Sequence, residues 1–266
     1  MTSVFFLFLS HSSLGLLTAL PLVPEGAGAK FFKFCSAAAA FMSTAGLWLL
    51  YRRYGLDAGP ETLGGARYPV LMLAAGASLV FTIFYNRSEH FGWKQLRAPS
   101  LWAAILSAMA ALAAGAPADG RAAVWAADFS SALLIGGSAG AMILGHWYLV
   151  VLDLPISALR RLTVLLVVGL VLRTLTVGLA LFGPEPGALH SAGEIAAGLW
   201  SPDGIFVWMR LLFGIAGPWS LIVFIWKTVE IRSTQSATGI LYVQLFMVMA
   251  GELLAKYLRV AAGLAL

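Results

Sequence analysis

Six ionisable side chains interrupt stretches of sequence that are otherwise apolar: His11, Asp128, Arg173, Arg210, Glu252 and Lys256. Their types define the chemistry on offer. Imidazole and carboxylate groups take up and release protons, while guanidinium groups are fixed donors toward carboxylate or carbonyl oxygens. In a hydrocarbon slab each charged group costs roughly 2.5 to 3.5 kcal/mol on insertion scales, so such residues mark a pairing or a function. Glu252 and Lys256 are spaced i, i+4 with the acid first, which suits an intrahelical ion pair. His11 lies in the polar run Ser10-His11-Ser12-Ser13, and Arg173 has Thr174 and Thr176 beside it. Metal chemistry finds less support. The single cysteine, Cys35, cannot hold an iron–sulfur cluster. Of the four histidines, His90 and His190 fall in loops on opposite sides, and His11 and His146 fall near opposite ends of their spans. No haem or iron–sulfur cluster bound by this chain alone is expected, and no metal-ligand, phosphate-loop or nucleophile-elbow motif occurs.

The elements that must position these groups follow from composition. The chain has 266 residues, of which 60% are hydrophobic and 11% charged, with a mean hydropathy of +0.88. Soluble chains run near ~45–50% apolar and ~25% charged, so this one has too little polar surface to cover a water-soluble ball. A soluble enzyme, a disordered chain and a secreted disulfide scaffold are excluded. The expectation is an all-α polytopic membrane bundle, a single integral membrane domain over 1–266. Eight transmembrane helices are expected at about 3–23, 31–51, 68–86, 99–116, 123–152, 159–183, 204–227 and 234–263. The fourth is the weakest, being alanine-rich and barely long enough. Pro24-Glu25-Gly26, the 55–65 stretch, 117–120, Pro155 and 183–202 separate the spans. The opening MTSVFFLFLS lacks a basic leader, so the first run reads as a permanent span.

Loop charge sets the expected orientation. Lys30, Lys33, Arg87, Lys94, Arg97, Arg160, Arg161, Lys227 and Arg232 collect on one side, and Arg52, Arg53, Arg67 and Arg121 on the other. Nine against four assigns the first side to the cytoplasm by the positive-inside rule. Glu185, Glu194 and Asp203 in the basic-free 184–203 loop agree with that assignment. The expected location is a cell inner membrane with both termini on the outer, periplasmic side. Counting ~1.5 Å per helical residue puts His11, Asp128, Arg173, Arg210, Glu252 and Lys256 all in the outer half, about 8 to 16 Å from the outer ends of their spans. Arg173 is too deep to reach the headgroups, and Glu252 at matching depth is its expected partner. The two are expected to shape, with His11, a polar cavity that opens outward. Arg173→Ala is expected to cost more folded protein than Glu252→Gln, which keeps a hydrogen-bond acceptor.

Blander readings stand beside these. Arg210, Lys256 and Arg259 suit snorkelling to outer headgroups, Asp128 an interfacial place near a helix start, and His11 a packing histidine. Gly136 and Gly140 read as close helix packing, and Trp48, Tyr51, Tyr85, Trp102, Trp147, Tyr148, Trp208, Trp226 and Tyr257 as an aromatic belt. On the cytoplasmic side, Gly145-His146-Trp147-Tyr148, Asp153-Leu154-Pro155 and Arg160-Arg161 form a polar run, with a second from Arg232 to Thr238. That run suits either an interfacial loop or a second ligand site.

A histidine, a carboxylate and arginines in a lipid-accessible cavity are what a quinone or quinol site needs, with His11, Asp128, Arg173, Arg210 and Glu252 as the candidate binding residues. Eight spans without a redox centre of their own resemble, in architecture alone, the quinol-interacting membrane anchors of polysulfide-reductase type. No motif of that family aligns residue by residue. The expected role is a membrane subunit of a respiratory oxidoreductase complex. Its partners would be membrane lipid and subunits carrying redox cofactors, with no nucleic acid. A proton- or solute-coupled transporter and a purely structural membrane subunit are the competing expectations.

Overall fold

A computed structural model describes residues 1–55, 68–87, 93–114, 122–151, 153–182 and 204–261. Among the described residues there are eight main helices and no strand. They are α1 (Thr2–Ala19), α2 (Ala29–Tyr54), α3 (Tyr68–Arg87), α4 (Arg97–Ala114), α5 (Ala122–Trp147), α6 (Ser157–Phe182), α7 (Gly204–Glu230) and α8 (Thr234–Ala261). The chain is therefore an all-α helical bundle. Six helices are long and apolar enough to cross a membrane: α1 with its 3-10 extension to Leu22, α2, α5, α6, α7 and α8. In α3 the shorter stretch Gly76–Tyr85 is apolar, and α4, at 18 residues, lies outside that set. The acidic 184–203 loop, Arg67, Arg121, His90 and His190 lie outside the described residues.

Local chemistry explains where the helices stop. Pro21 and Pro24 lack an amide hydrogen, so α1 gives way to 3-10 turns at Leu20–Leu22 and Glu25–Ala27. Gly55 closes α2 at φ 66°, a left-handed conformation that a side chain disfavours. The fifth helix ends at Trp147, five residues short of the expected boundary, because the chain turns through 148–150. In α7 the turn Leu212–Ala216 widens to a π-helix. Pro218 accounts for this: its ring would clash with the carbonyl of Gly214, and the wider turn relieves the clash.

Helices α1 and α5 form the centre of the bundle. On one flank α2 packs on α1, α3 on α2, and α4 on α3; on the other, α6 and α8 both pack on α5, and α7 lies against α8. Glycine makes the central crossing possible. A Cβ on Gly136 of α5 would overlap the backbone of Gly15 in α1, and one on Gly140 would meet Ala19 Cβ at 2.9 Å. The Gly136 and Gly140 spacing thus serves close helix packing. Gly214 of α7 and Gly251 of α8 touch in the same manner.

Polarity is inverted relative to a protein in water. Phe41, Leu106, Phe182, Ile205 and Phe246 face outward, while Arg173, Arg210, Glu252 and Lys256 are buried. An apolar exterior around charged residues is stable in lipid, where the exterior loses nothing and the charges are shielded from hydrocarbon.

Candidate functional site

The buried charges come from five helices and meet in one place. Glu252, on the α8 face that also carries Val248, Gly251 and Ala255, is fully buried at 0% exposure. Arg173 of α6 donates to it through Nε at 2.8 Å to Oε1 and through Nη2 at 3.2 Å to Oε2. This two-pronged geometry is the strong form of an arginine–carboxylate pair. Arg210 of α7 donates from Nη2 to the same Oε1 at 3.0 Å. Lys256 sits 3.5 Å from Oε2, and the Ser131 hydroxyl of α5 donates to Oε2. One carboxylate thereby holds three cations.

A second carboxylate lies alongside. Asp128 of α5 accepts from Arg259 Nη1, and its Oδ1 is 3.6 Å from His11 Nε2 of α1. The two groups are joined through Ser131, whose hydroxyl lies 3.5 Å from His11 Nδ1 and accepts from Lys256 Nζ at 2.7 Å. Backbone and hydroxyl groups complete the shell: Arg173 Nη1 donates to the Ala127 carbonyl at 3.3 Å, and Ser130 and Thr176 meet at 3.2 Å. Arg210 differs from the rest. Its Nε and Nη1 are buried with no hydrogen-bond partner among the described residues, because the guanidinium is wedged where a side chain of Gly214 would lie, next to the π-turn.

All five candidate residues read from the sequence, His11, Asp128, Arg173, Arg210 and Glu252, are brought together, and the Arg173–Glu252 pair forms directly. Four readings change. Asp128 is buried and paired rather than interfacial. Arg210 and Lys256 are buried rather than snorkelling. Arg259 keeps some exposure, at 21% of its side chain, yet it also turns inward to Asp128. The contacts argue for the opposite order of damage from the one expected, since Glu252 is the hub: neutralising it would strand three cations, whereas losing Arg173 would leave Glu252 with Arg210, Lys256 and Ser131.

The outward-opening cavity takes a different form. The charges pack against one another, and among the described residues an opening is found at Asp128. There a crevice of about 10 Å³ lies between α4 and α5, lined by Met109, Leu112, Trp125, Asp128 and Phe129. That is room for about one water. Among the described residues no three His, Cys, Asp or Glu side chains converge as metal ligands.

Ser131 is the residue sequence reasoning missed. It bridges both carboxylate groups, and the signal was its i, i+3 spacing from Asp128, which places both on one face of α5. Gln244, buried in α8 with both amide atoms unpartnered among the described residues, was also passed over.

No known protein family, curated protein or solved structure matches this chain.

Proposed function

We propose that the chain is an integral membrane subunit that binds a quinone or quinol beside Asp128, in a respiratory oxidoreductase complex whose partner subunits carry the redox centres. One observation carries the reading: Asp128 lines the α4–α5 crevice together with the aromatic side chains Trp125 and Phe129, and its Oδ1 lies 3.6 Å from His11 Nε2. An apolar, aromatic crevice that exposes one edge of an ion-paired carboxylate suits a quinol ring and its hydroxyl, which donates to that carboxylate. Quinol oxidation releases two protons and two electrons. Asp128, ion-paired with Arg259, accepts the hydrogen bond of the quinol hydroxyl; the two protons leave to water at the membrane surface, and the two electrons pass to a redox centre in a partner subunit. The Glu252 network acts as a fixed scaffold that sets the position of α5 and α8.

The crevice as it stands admits about one water, so a quinone head enters only if α4 parts from α5. The contact between these two helices is narrow, and α4 is held mainly by α3. A purely structural role is the second reading, favoured by the tight packing of the Glu252 network. Extraction in mild detergent separates the two. Quinone in the purified complex, lowered by Asp128→Asn and by Trp125→Ala at equal protein yield, supports the proposal. Protein that is free of quinone, and stays so after incubation with it, overturns the proposal in favour of the structural reading. Proton or solute flux in liposomes that contain this chain alone overturns it in favour of transport.

A further inference from the structure

At the end of the bundle opposite the Glu252 network, four helix ends surround a groove. It lies where α5 stops, α6 starts, α7 stops and α8 starts, and it has a volume of about 650 Å³. That size falls within the usual ~300–1,000 Å³ of sites for small ligands and lipid headgroups. Tyr148, Asp153, Pro155, Ser157, Arg232 and Thr234 carry the argument here.

The loop that shapes the groove is held firmly. The Tyr148 hydroxyl donates to the Pro155 carbonyl at 2.6 Å and accepts from the Leu159 amide at 3.4 Å. Burial pushes the Tyr148 phenol above its usual range, so it remains a neutral donor. Trp147 Nε1 donates to the Ala27 carbonyl at 2.7 Å, which ties the end of α5 to the turn before α2. These bonds fix the wall while leaving the groove's charged groups uncommitted.

Those charges are of opposite sign. Asp153 and Arg232 both line the groove, and neither side chain has an ion pair or hydrogen bond among the described residues. Ser157 and Thr234 add hydroxyl-bearing side chains to the same lining. Arg232 is also the one non-glycine among the described residues at positive φ, 56°. This left-handed conformation closes α7, with the Ser233 amide donating to the Thr228 carbonyl and the Arg232 amide to the Val229 carbonyl, and glycine is the usual residue there. Arg160 and Arg161, exposed on the first turn of α6, make the surroundings basic.

We infer that this groove binds a phosphate that carries a primary amine, the chemistry of a phosphoethanolamine headgroup. The phosphate meets Arg232 and the Ser157 and Thr234 hydroxyls, and the ammonium donates to Asp153. A quaternary ammonium has no N–H to give Asp153, and a headgroup without an amine leaves Asp153 facing a phosphate. Both are therefore disfavoured by the same geometry.

The test is native mass spectrometry of the detergent-purified protein, titrated with phosphatidylethanolamine, phosphatidylcholine, phosphatidylglycerol and free phosphoethanolamine. The wild type is expected to bind phosphatidylethanolamine about tenfold more tightly than either other lipid, which corresponds to one charge-assisted hydrogen bond. Arg232→Gly relaxes the strained backbone, so the fold is kept while affinity for phosphatidylethanolamine falls about tenfold. Asp153→Asn is expected to bring phosphatidylethanolamine and phosphatidylcholine to within about twofold of each other. Free phosphoethanolamine competing as well as the lipid upholds the site and assigns it to a soluble ligand. Equal binding of all three lipids, or unchanged preference in both variants, overturns the inference.

Discussion

Glu252→Gln tests the ion network at its hub. The substitution keeps the side chain's shape and removes its charge, leaving Arg173 at 2.8 Å, Arg210 at 3.0 Å and Lys256 at 3.5 Å around a neutral amide. Removing one partner of a buried pair costs about 3–5 kcal/mol, since the stranded charge is neither hydrated nor compensated. With three cations on one carboxylate, the upper end, about 5 kcal/mol, applies. For a chain of this size each kcal/mol lowers Tm by about 2–4 °C, so the loss should be about 10–20 °C. Arg173→Gln is the internal control. Glu252 keeps Arg210, Lys256 and Ser131 in that variant, so its loss should be no more than about half as large. Fluorescence-detected size exclusion after a heating series measures both in crude detergent extract. A Glu252→Gln protein that melts within about 2 °C of wild type, or one more stable than Arg173→Gln, would refute the hub argument.

Four further outcomes follow from the same geometry. Ser131→Ala removes the acceptor 2.7 Å from Lys256 Nζ and a donor to Glu252, and should cost about 1–3 kcal/mol in the same melting assay. Gln244→Leu removes two buried, unpartnered amide atoms, so Tm should rise; a fall would show that Gln244 has a bound partner. Gly136→Ala forces α5 away from the backbone of Gly15 and should cost about 1–3 kcal/mol, with loss of monodisperse protein as the readout. A C-terminal alkaline phosphatase fusion should be active, as expected if the C-terminus lies outside, and an inactive phosphatase with a fluorescent cytoplasmic reporter would reverse the orientation.

Much of this arrangement was legible because lipid enforces simple rules. Long apolar runs broken by Pro24, Gly55 and Pro155 give helices with little ambiguity, since a backbone in hydrocarbon has no other way to satisfy its hydrogen bonds. Depth arithmetic then brought Arg173 and Glu252 to one level, and a buried guanidinium at that level needs a carboxylate. What stayed hidden depends on rotation about the helix axes. Depth does not say whether Arg259 turns toward Asp128 or toward the headgroups, nor that Arg210 shares Oε1 of Glu252 with Arg173. Ser131 was hidden for a related reason: a serine in a membrane helix usually satisfies itself on the preceding turn, as Ser138 does on Leu134. The π-turn in α7 needed both the Gly217-Pro218 step and the neighbouring helix. The cavity expectation went furthest from the structure, because converging charges of opposite sign collapse onto each other unless something holds them apart.

The most direct measurement for the proposed function is photo-crosslinking with an azido-quinone on the purified complex, followed by peptide mapping. The label is expected on Met109 to Leu112 of α4 and Trp125 to Phe129 of α5. It should be competed by excess unlabelled quinone and reduced by Asp128→Asn in protein that still elutes as wild type. Labelling spread over the lipid-facing surface, or confined to helices other than α4 and α5 and insensitive to Asp128→Asn, would contradict the assignment.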